Sequence, residues 1–175
     1  RSDPYKNLAT LVRAFGRARK SATVPLRLVV AGSPDPRYPE AANLAAKMGL
    51  DRHISWTGYL SDDEIVSAYC DADVLVHPSR YEGFGLQVLE AMACGLPVVC
   101  SNAGSLPEVT GKAVLQVNPD DAEGMAGAIL RILKEPQLAA ELSRKGQDRA
   151  KAFTWENTAR NMLALYEELG ANETC

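Results

Sequence analysis

The amino-acid sequence predicts an α/β fold built on a doubly wound, Rossmann-like parallel sheet. Three observations support this fold class: short apolar runs recur along the chain, helical patterns separate them, and one glycine-rich turn leads directly into a helix. The 175 residues are 46% hydrophobic, which fits one globular unit with a substantial core. We therefore expect residues 1–175 to form a single domain.

Five short apolar runs are the predicted strands, because each is rich in aliphatic residues and too short for an ordinary helix. These runs cover residues 26–31, 54–57, 74–77, 97–101 and 113–117. Strands that alternate with helices run in the same direction, so the pattern predicts a parallel sheet covered on both faces.

Helical patterns lie between the predicted strands. Residues 7–20 carry apolar side chains on one face, and residues 39–48 and 61–69 show the same periodicity. Ser61 followed by Glu64 is a capping-box pattern, which marks the start of the third helix.

The C-terminal tail, residues 121–169, is almost entirely helical in pattern. Pro136 and residues 153–155 interrupt it. We therefore expect a helical tail that follows the last strand.

The segment Gly83-Phe84-Gly85, called the glycine turn below, is the most informative part of the chain. Its glycines permit positive φ and close backbone approach, and the helix that follows presents free N–H groups at its positive end. Such a helix end attracts a phosphate or a developing anion. Glu82 and Glu90 flank this helix end, and seven residues separate them.

Glu90 falls within a predicted apolar stripe of the helix after the glycine turn. At about 100° per residue, Leu86, Leu89 and Ala93 share one face, and Glu90 lies among them. Burial of an unpaired carboxylate costs several kcal/mol. We therefore expect Glu90 either to be paired inside the protein or to border a ligand whose hydroxyls donate to it.

These motifs resemble the donor-binding half of retaining glycosyltransferases with the GT-B architecture, family 4. The resemblance rests on the E-x7-E spacing in EGFGLQVLE, the following EAMACGLPVV and the later GSLPE at residues 104–108, and it covers almost the whole chain. It implies one half of a GT-B enzyme, in which a helix at residues 155–170 crosses back to an N-terminal acceptor-binding domain. Family members carry a central strand just before the segment that here starts at Arg1, so this strand is expected to be missing.

By resemblance, the predicted catalytic residues are Glu82, Lys6 and Arg1. Arg1 and Lys6 match the family's phosphate-binding pair, while Glu82 is expected to hold hydroxyls of the donor sugar near the reacting carbon. Glu90 is expected to accept from both ribose hydroxyls, and N–H groups of residues 84–86 to face the phosphate. The predicted donor-binding residues are Leu60, Asp62, Gly83, Phe84, Gly85, Leu86 and Glu90.

Composition and spacing argue against other kinds of site. A net charge of −3 and a pI near 5.5 give no basic field, so we do not expect nucleic acid as a partner. The D-x-D pattern at residues 71–73 precedes a predicted strand, at the amino end of the sheet and far from the site. His53 and His77 are the only histidines, so no metal site is predicted, and His77 is interpreted as a structural residue. We expect no cofactor besides the donor substrate.

The resemblance favours GDP-mannose as the donor and a glycan or lipid-linked molecule as the acceptor. The loop at residues 32–40 and Asp62 resemble those of mannosyltransferases, and an aspartate near the base could accept from guanine. Asp62 could equally compensate a helix dipole, so UDP-glucose or UDP-N-acetylglucosamine remains the alternative donor. A non-catalytic nucleotide-sugar-binding subunit is a further alternative.

Three further expectations concern the protein as a whole. Scattered cysteines without C-x-x-C spacing favour a reducing cytoplasm, with peripheral association at the inner membrane face as an open alternative. The isolated 175 residues are expected to bind nucleotide weakly and to transfer nothing at a useful rate. The sequence leaves the oligomeric state open.

Overall fold

A computed structural model describes residues 3–172 and confirms the alternation of strands and helices. Each of the five predicted strands is present, and each is shorter than the apolar run that predicted it. The strands are β1 (Leu28–Val30), β2 (Ile54–Trp56), β3 (Leu75–His77), β4 (Val98–Ser101) and β5 (Leu115–Val117).

Eight α-helices are found within the described residues, and the predicted helices and helical tail are among them. They are α1 (Leu8–Ser21), α2 (Glu40–Lys47), α3 (Asp62–Asp71), α4 (Leu86–Ala93), α5 (Leu106–Thr110), α6 (Ala122–Lys134), α7 (Pro136–Ala150) and α8 (Trp155–Asn172). Short 3-10 helices cover Pro4–Lys6 and Asp51–His53. The five-residue helix α5 was not predicted.

The strands form two parallel sheets. One contains β1 and β2, with Leu28 opposite Ile54, and the other has the order β3-β4-β5, with His77 opposite Cys100.

Helices cover both faces of β4, because its side chains alternate between two clusters of the core. Val98 and Cys100 pack with α4 and α5, whereas Val99 packs with α1 and α6. All four residues of β4 are buried. A strand buried on both faces is typical of a doubly wound parallel sheet, and the Rossmann-like fold class is confirmed.

Helix α8 contributes almost nothing to this core. Its side chains are exposed from Trp155 to Gly170, apart from the half-buried Asn157, and Trp155 is 87% exposed.

Across residues 3–172, none of the helices combines the length and hydropathy required to cross a bilayer.

Candidate active site

The candidate site lies where two segments meet beyond the carboxyl end of β3. The first segment is the 3-10 helix that ends at Lys6, and the second runs from His77 to the glycine turn. The backbone N–H of Arg80 donates to the carbonyl of Tyr5 at 2.7 Å, which fixes the two segments side by side. Ligands of open α/β sheets bind at this edge of the strands.

Asn7 joins these segments to the loop after β5. Its φ of 56° lies in the left-handed region, and its side chain is buried. The Asn7 amide donates to the carbonyls of Pro78 at 3.1 Å and Pro119 at 2.6 Å, and it accepts from the Thr10 hydroxyl at 2.7 Å. The start of α1 is therefore held against two strand ends, and this places Lys6 over the site.

The Glu82 carboxylate is the centre of the site. Its Oε1 accepts from Lys6 Nζ at 2.6 Å and lies 2.9 Å from Nε2 of His77. Burial acts to raise the pKa of Glu82, but hydrogen bonds from Lys6, His77 and Ser79 outweigh it, and the pKa lies below its ordinary value. Glu82 is thus held ionised by several donors.

We assign the proton of the His77 ring to Nε2, because this nitrogen lies 2.9 Å from the Glu82 carboxylate. Burial lowers the pKa of His77, against the opposing effect of the Glu82 carboxylate, so the imidazole favours its neutral form. A neutral ring donates from one nitrogen only, and Nε2 is the atom beside the carboxylate. His77 therefore contacts the predicted catalytic residue Glu82, a role that the sequence interpretation of a structural histidine did not include.

Helix α5 supports the backbone next to the glycine turn. The N–H and the hydroxyl of Ser105 both donate to the Glu82 carbonyl, at 3.2 and 3.1 Å. Gly85 has φ of 94°, and a Cβ there would lie 2.6 Å from Cδ2 of Leu106. Gly83 has open space around it and no positive φ, so only Gly85 of the two requires glycine.

Of the two expectations for Glu90, pairing inside the protein is wrong, because the predicted apolar stripe is not buried. Leu86 is 56% exposed, and Glu90 and Ala93 are exposed as well, while Leu89 alone of the proposed stripe is buried. Helix α4 instead buries the neighbouring face, which contains Val88, Leu89, Ala91 and Met92. A period of 3.6 residues fits both faces in so apolar a helix, and packing against α5 and α7 selects between them.

Glu90 has a partner at the surface. Its Oε2 accepts a hydrogen bond of 3.0 Å from the Tyr69 hydroxyl of α3. Burial and this carboxylate together raise the pKa of Tyr69, which therefore stays a donor. The predicted role of Glu90 in binding ribose stays a prediction, made now for an exposed carboxylate.

Three predicted site residues, Leu60, Asp62 and Arg1, lie outside the two segments that form the candidate site. Leu60 is half-buried in the loop after β2, and Asp62 is exposed on the first turn of α3. The predicted capping box is confirmed, because Ser61 Oγ accepts from the Glu64 N–H and Glu64 Oε2 accepts from the Ser61 N–H. Arg1 lies outside the described residues.

The other titratable groups offer no metal site among residues 3–172. No three histidine, cysteine, aspartate or glutamate side chains there are grouped as metal ligands. The two aspartates of the D-x-D pattern precede β3, at its amino end, as predicted.

Comparison with known proteins decides the family. Residues 1–149 match the family model described as glycosyl transferases group 1. The chain belongs to this family. A group 1 glycosyltransferase is what the fold and the predicted motifs indicate, and the resemblance drawn from the sequence is confirmed at this level.

A mannosyltransferase is among the similar group 1 glycosyltransferases. The chain is 34% identical to O-antigen chain mannosyltransferase B of Escherichia coli over 167 residues. The aligned region covers 95% of this chain and 44% of that protein. The chain thus spans less than half the length of this relative.

Solved glycosyltransferase structures share the fold. Sucrose-phosphate synthase from Thermosynechococcus elongatus has a TM-score of 0.78 at 36% identity, over 97% of this chain and 44% of that one. Anabaena Alr3699/HepE in complex with UDP-glucose has a TM-score of 0.83 over 98% of this chain and 47% of that one, and at 22% identity the likeness concerns the fold alone. The described residues thus have the fold of one half of a GT-B enzyme.

Proposed function

We propose that the chain is the donor-binding domain of a retaining hexosyltransferase. It would move a sugar from a nucleotide diphosphate to a glycan or lipid-linked acceptor. The observation that carries this proposal is the contact of Lys6 and His77 with Glu82, beside the glycine turn and the N-terminus of α4, in a chain of the group 1 family.

In this proposal the departing diphosphate is stabilised by two kinds of positive charge. The N–H groups of Leu86 and Gln87 at the start of α4, and those of the glycine turn, precede the first hydrogen bonds of the helix, so they suit phosphate oxygens. The Lys6 ammonium has three donors, so it can keep Glu82 and still reach the diphosphate. Because Lys6 and the helix end supply this charge, we propose a reaction that needs no metal ion.

Glu82 would act on the sugar. Its carboxylate is ionised and only 12% exposed, so its charge is weakly screened by solvent. Hydrogen bonds from sugar hydroxyls would orient the donor, and the negative charge would stabilise an oxocarbenium-like transition state. The helix end and Glu82 together place opposite charges at the two ends of the breaking bond.

The proposed donor is GDP-mannose, supported by the likeness to a mannosyltransferase. UDP-glucose and UDP-N-acetylglucosamine are the alternatives, and the first is supported by the fold likeness to a complex with UDP-glucose. Calorimetric titration of the chain with GDP, UDP, ADP and their sugars would separate these donors. GDP and GDP-mannose are expected to bind most tightly, while binding of none of the nucleotides would contradict the proposal.

We further propose that transfer requires an N-terminal acceptor-binding domain. On α8, Trp155, Met162, Tyr166 and Leu169 are spaced by three, four or seven residues and are all exposed, so they form an apolar stripe that a second domain could cover. The isolated chain would bind nucleotide weakly and transfer nothing at a useful rate. We place the reaction in the cytoplasm, at the inner membrane face where the acceptor is lipid-linked.

We keep a non-catalytic nucleotide-sugar-binding subunit as the second candidate function. Addition of an acceptor-binding domain distinguishes the two. Transfer of labelled sugar by the completed protein supports the enzyme, whereas donor binding without transfer supports the subunit.

A further inference from the structure

The glycine turn contacts the junction between α7 and α8. The Phe84 ring packs edge-on against the Phe153 ring, with centroids 5.8 Å apart and an interplanar angle of 76°. This is a favourable geometry for an aromatic pair. Phe84 is 42% exposed, so the protein covers more than half of this residue, and the Phe153 ring is one of its contacts.

Arg149 holds the Phe153 ring in place. The guanidinium lies over the ring, 4.9 Å from its centroid. The same group donates from Nε to the Val109 carbonyl at 2.9 Å and from Nη2 to the Glu108 carbonyl at 2.7 Å. These carbonyls belong to the last turn of α5, where helix carbonyls lack partners within the helix. Arg149 therefore caps α5 and orients Phe153 at the same time.

The opposite end of α5 holds the other side of the turn. Ser105 donates twice to the Glu82 carbonyl, and the Leu106 side chain packs directly against Gly85. The contacts form a closed ring from the turn through Phe153, Arg149 and α5 and back to the turn. Glu82, Phe84 and Gly85 are each fixed by a member of this ring.

We propose that Phe153 is a positioning residue, which orients the glycine turn for donor binding through its contact with Phe84. This inference rests on the proposed function, because it assigns the turn to the donor phosphate. The Phe84 backbone is part of the turn whose N–H groups face that phosphate, and the ring contact restricts its rotation. A residue outside the site thereby sets how well the N–H groups are aligned.

The test is a double-mutant cycle on nucleotide affinity. Phe84→Leu, Phe153→Leu and the double variant are titrated with GDP and GDP-mannose, or with UDP and UDP-glucose if those bind more tightly to the unsubstituted chain. Each single variant is expected to weaken binding about three- to tenfold, the range that an aromatic contact supports. The double variant should bind no more weakly than the weaker single variant, because the two residues act through one contact.

Phe15→Leu is the matched control. Phe15 is the one phenylalanine of the sequence besides Phe84 and Phe153, and it is buried in a separate cluster with α2 and β1. It should lower the melting temperature and leave affinity unchanged. Unchanged affinity in a folded Phe153→Leu variant, additive losses in the double variant, or an equal loss in Phe15→Leu would each overturn the inference.

Hydrogen exchange supplies a readout that needs no ligand. It therefore distinguishes a failure of the positioning role from a failure of the proposed function. The N–H groups of Val88 and Leu89 donate to the Gly85 carbonyl at 3.0 and 3.3 Å. Their exchange should accelerate in Phe153→Leu and not in Phe15→Leu, because a looser turn opens these bonds. Equal exchange in the two variants would contradict the positioning role whether or not the chain binds a nucleotide sugar.

Discussion

Lys6 and Glu82 are 76 residues apart in sequence and form an ion pair with Nζ and Oε1 separated by 2.6 Å. His77 Nε2 lies 2.9 Å from the same oxygen. The site thus contains a carboxylate whose Oε1 contacts both a cation and a neutral donor. Because both donors are already in place, the proposed binding of a sugar hydroxyl would need no rearrangement of Glu82.

Glu82→Gln should reduce transfer far more than donor binding. Glutamine keeps the size of the side chain and removes the charge that we propose to stabilise the transition state. In the chain joined to an acceptor-binding domain, kcat should fall by about 10²-fold or more, the effect typical of a lost electrostatic stabiliser. Glu141→Gln, an exposed substitution on α7, should leave kcat unchanged. Full activity in the Glu82 variant would remove Glu82 from the catalytic residues.

Folding stability should decrease with acid through His77 and Glu82. The pKa of His77 is lowered in the folded chain, chiefly by burial. As the pH falls below about 6.5, the unfolded chain therefore binds a proton at His77 more readily than the folded chain does, and folding stability decreases. The lowered pKa of Glu82 has the same sign, with stability lost as the pH falls below about 4.5. Urea unfolding between pH 4 and 8 measures this dependence.

His77→Gln should flatten the slope of stability between pH 5 and 7. His53→Gln should keep the original slope, because His77 is still present. Identical slopes in the two variants would show that His77 does not couple protonation to folding.

The sequence was sufficient for the strands, most helices and the helix start that follows the glycine turn, because those features depend on local periodicity and turn chemistry. It was insufficient for the face that α4 buries, since every residue of that helix except Gln87 and Glu90 is apolar. Helix α5 was missed because its five residues are too few for a periodic pattern. The contact of His77 with Glu82 was missed because it depends on the conformation of the loop after β3. The separation of only five residues could have indicated it.

Asn7 should be important for stability as well as for the site. Asn7→Gly removes hydrogen bonds to the buried carbonyl of Pro78 and to that of Pro119 but tolerates the left-handed backbone, and should cost about 1–3 kcal/mol. Asn7→Ala adds the strain of positive φ, so it should cost about 1–2 kcal/mol more. Denaturant unfolding of the two variants measures the difference. Equal stability of the glycine and alanine variants would mean that the backbone at residue 7 relaxes out of the left-handed region.

Glu90 offers a test of how the ribose is held. A carboxylate that accepts from ribose hydroxyls should make the chain prefer GDP over 2′-deoxy-GDP, by about tenfold or more for a hydrogen bond to a charged group. Glu90→Ala should abolish this preference and bind both nucleotides equally. Tyr69→Phe removes only the hydroxyl 3.0 Å from Oε2 and should keep the preference, because the carboxylate is still present and exposed. A carboxylate in contact with the ribose would bind more weakly to a nucleotide that lacks the 2′-hydroxyl. If the unsubstituted chain binds GDP and 2′-deoxy-GDP equally, Glu90 therefore serves only to join α3 to α4.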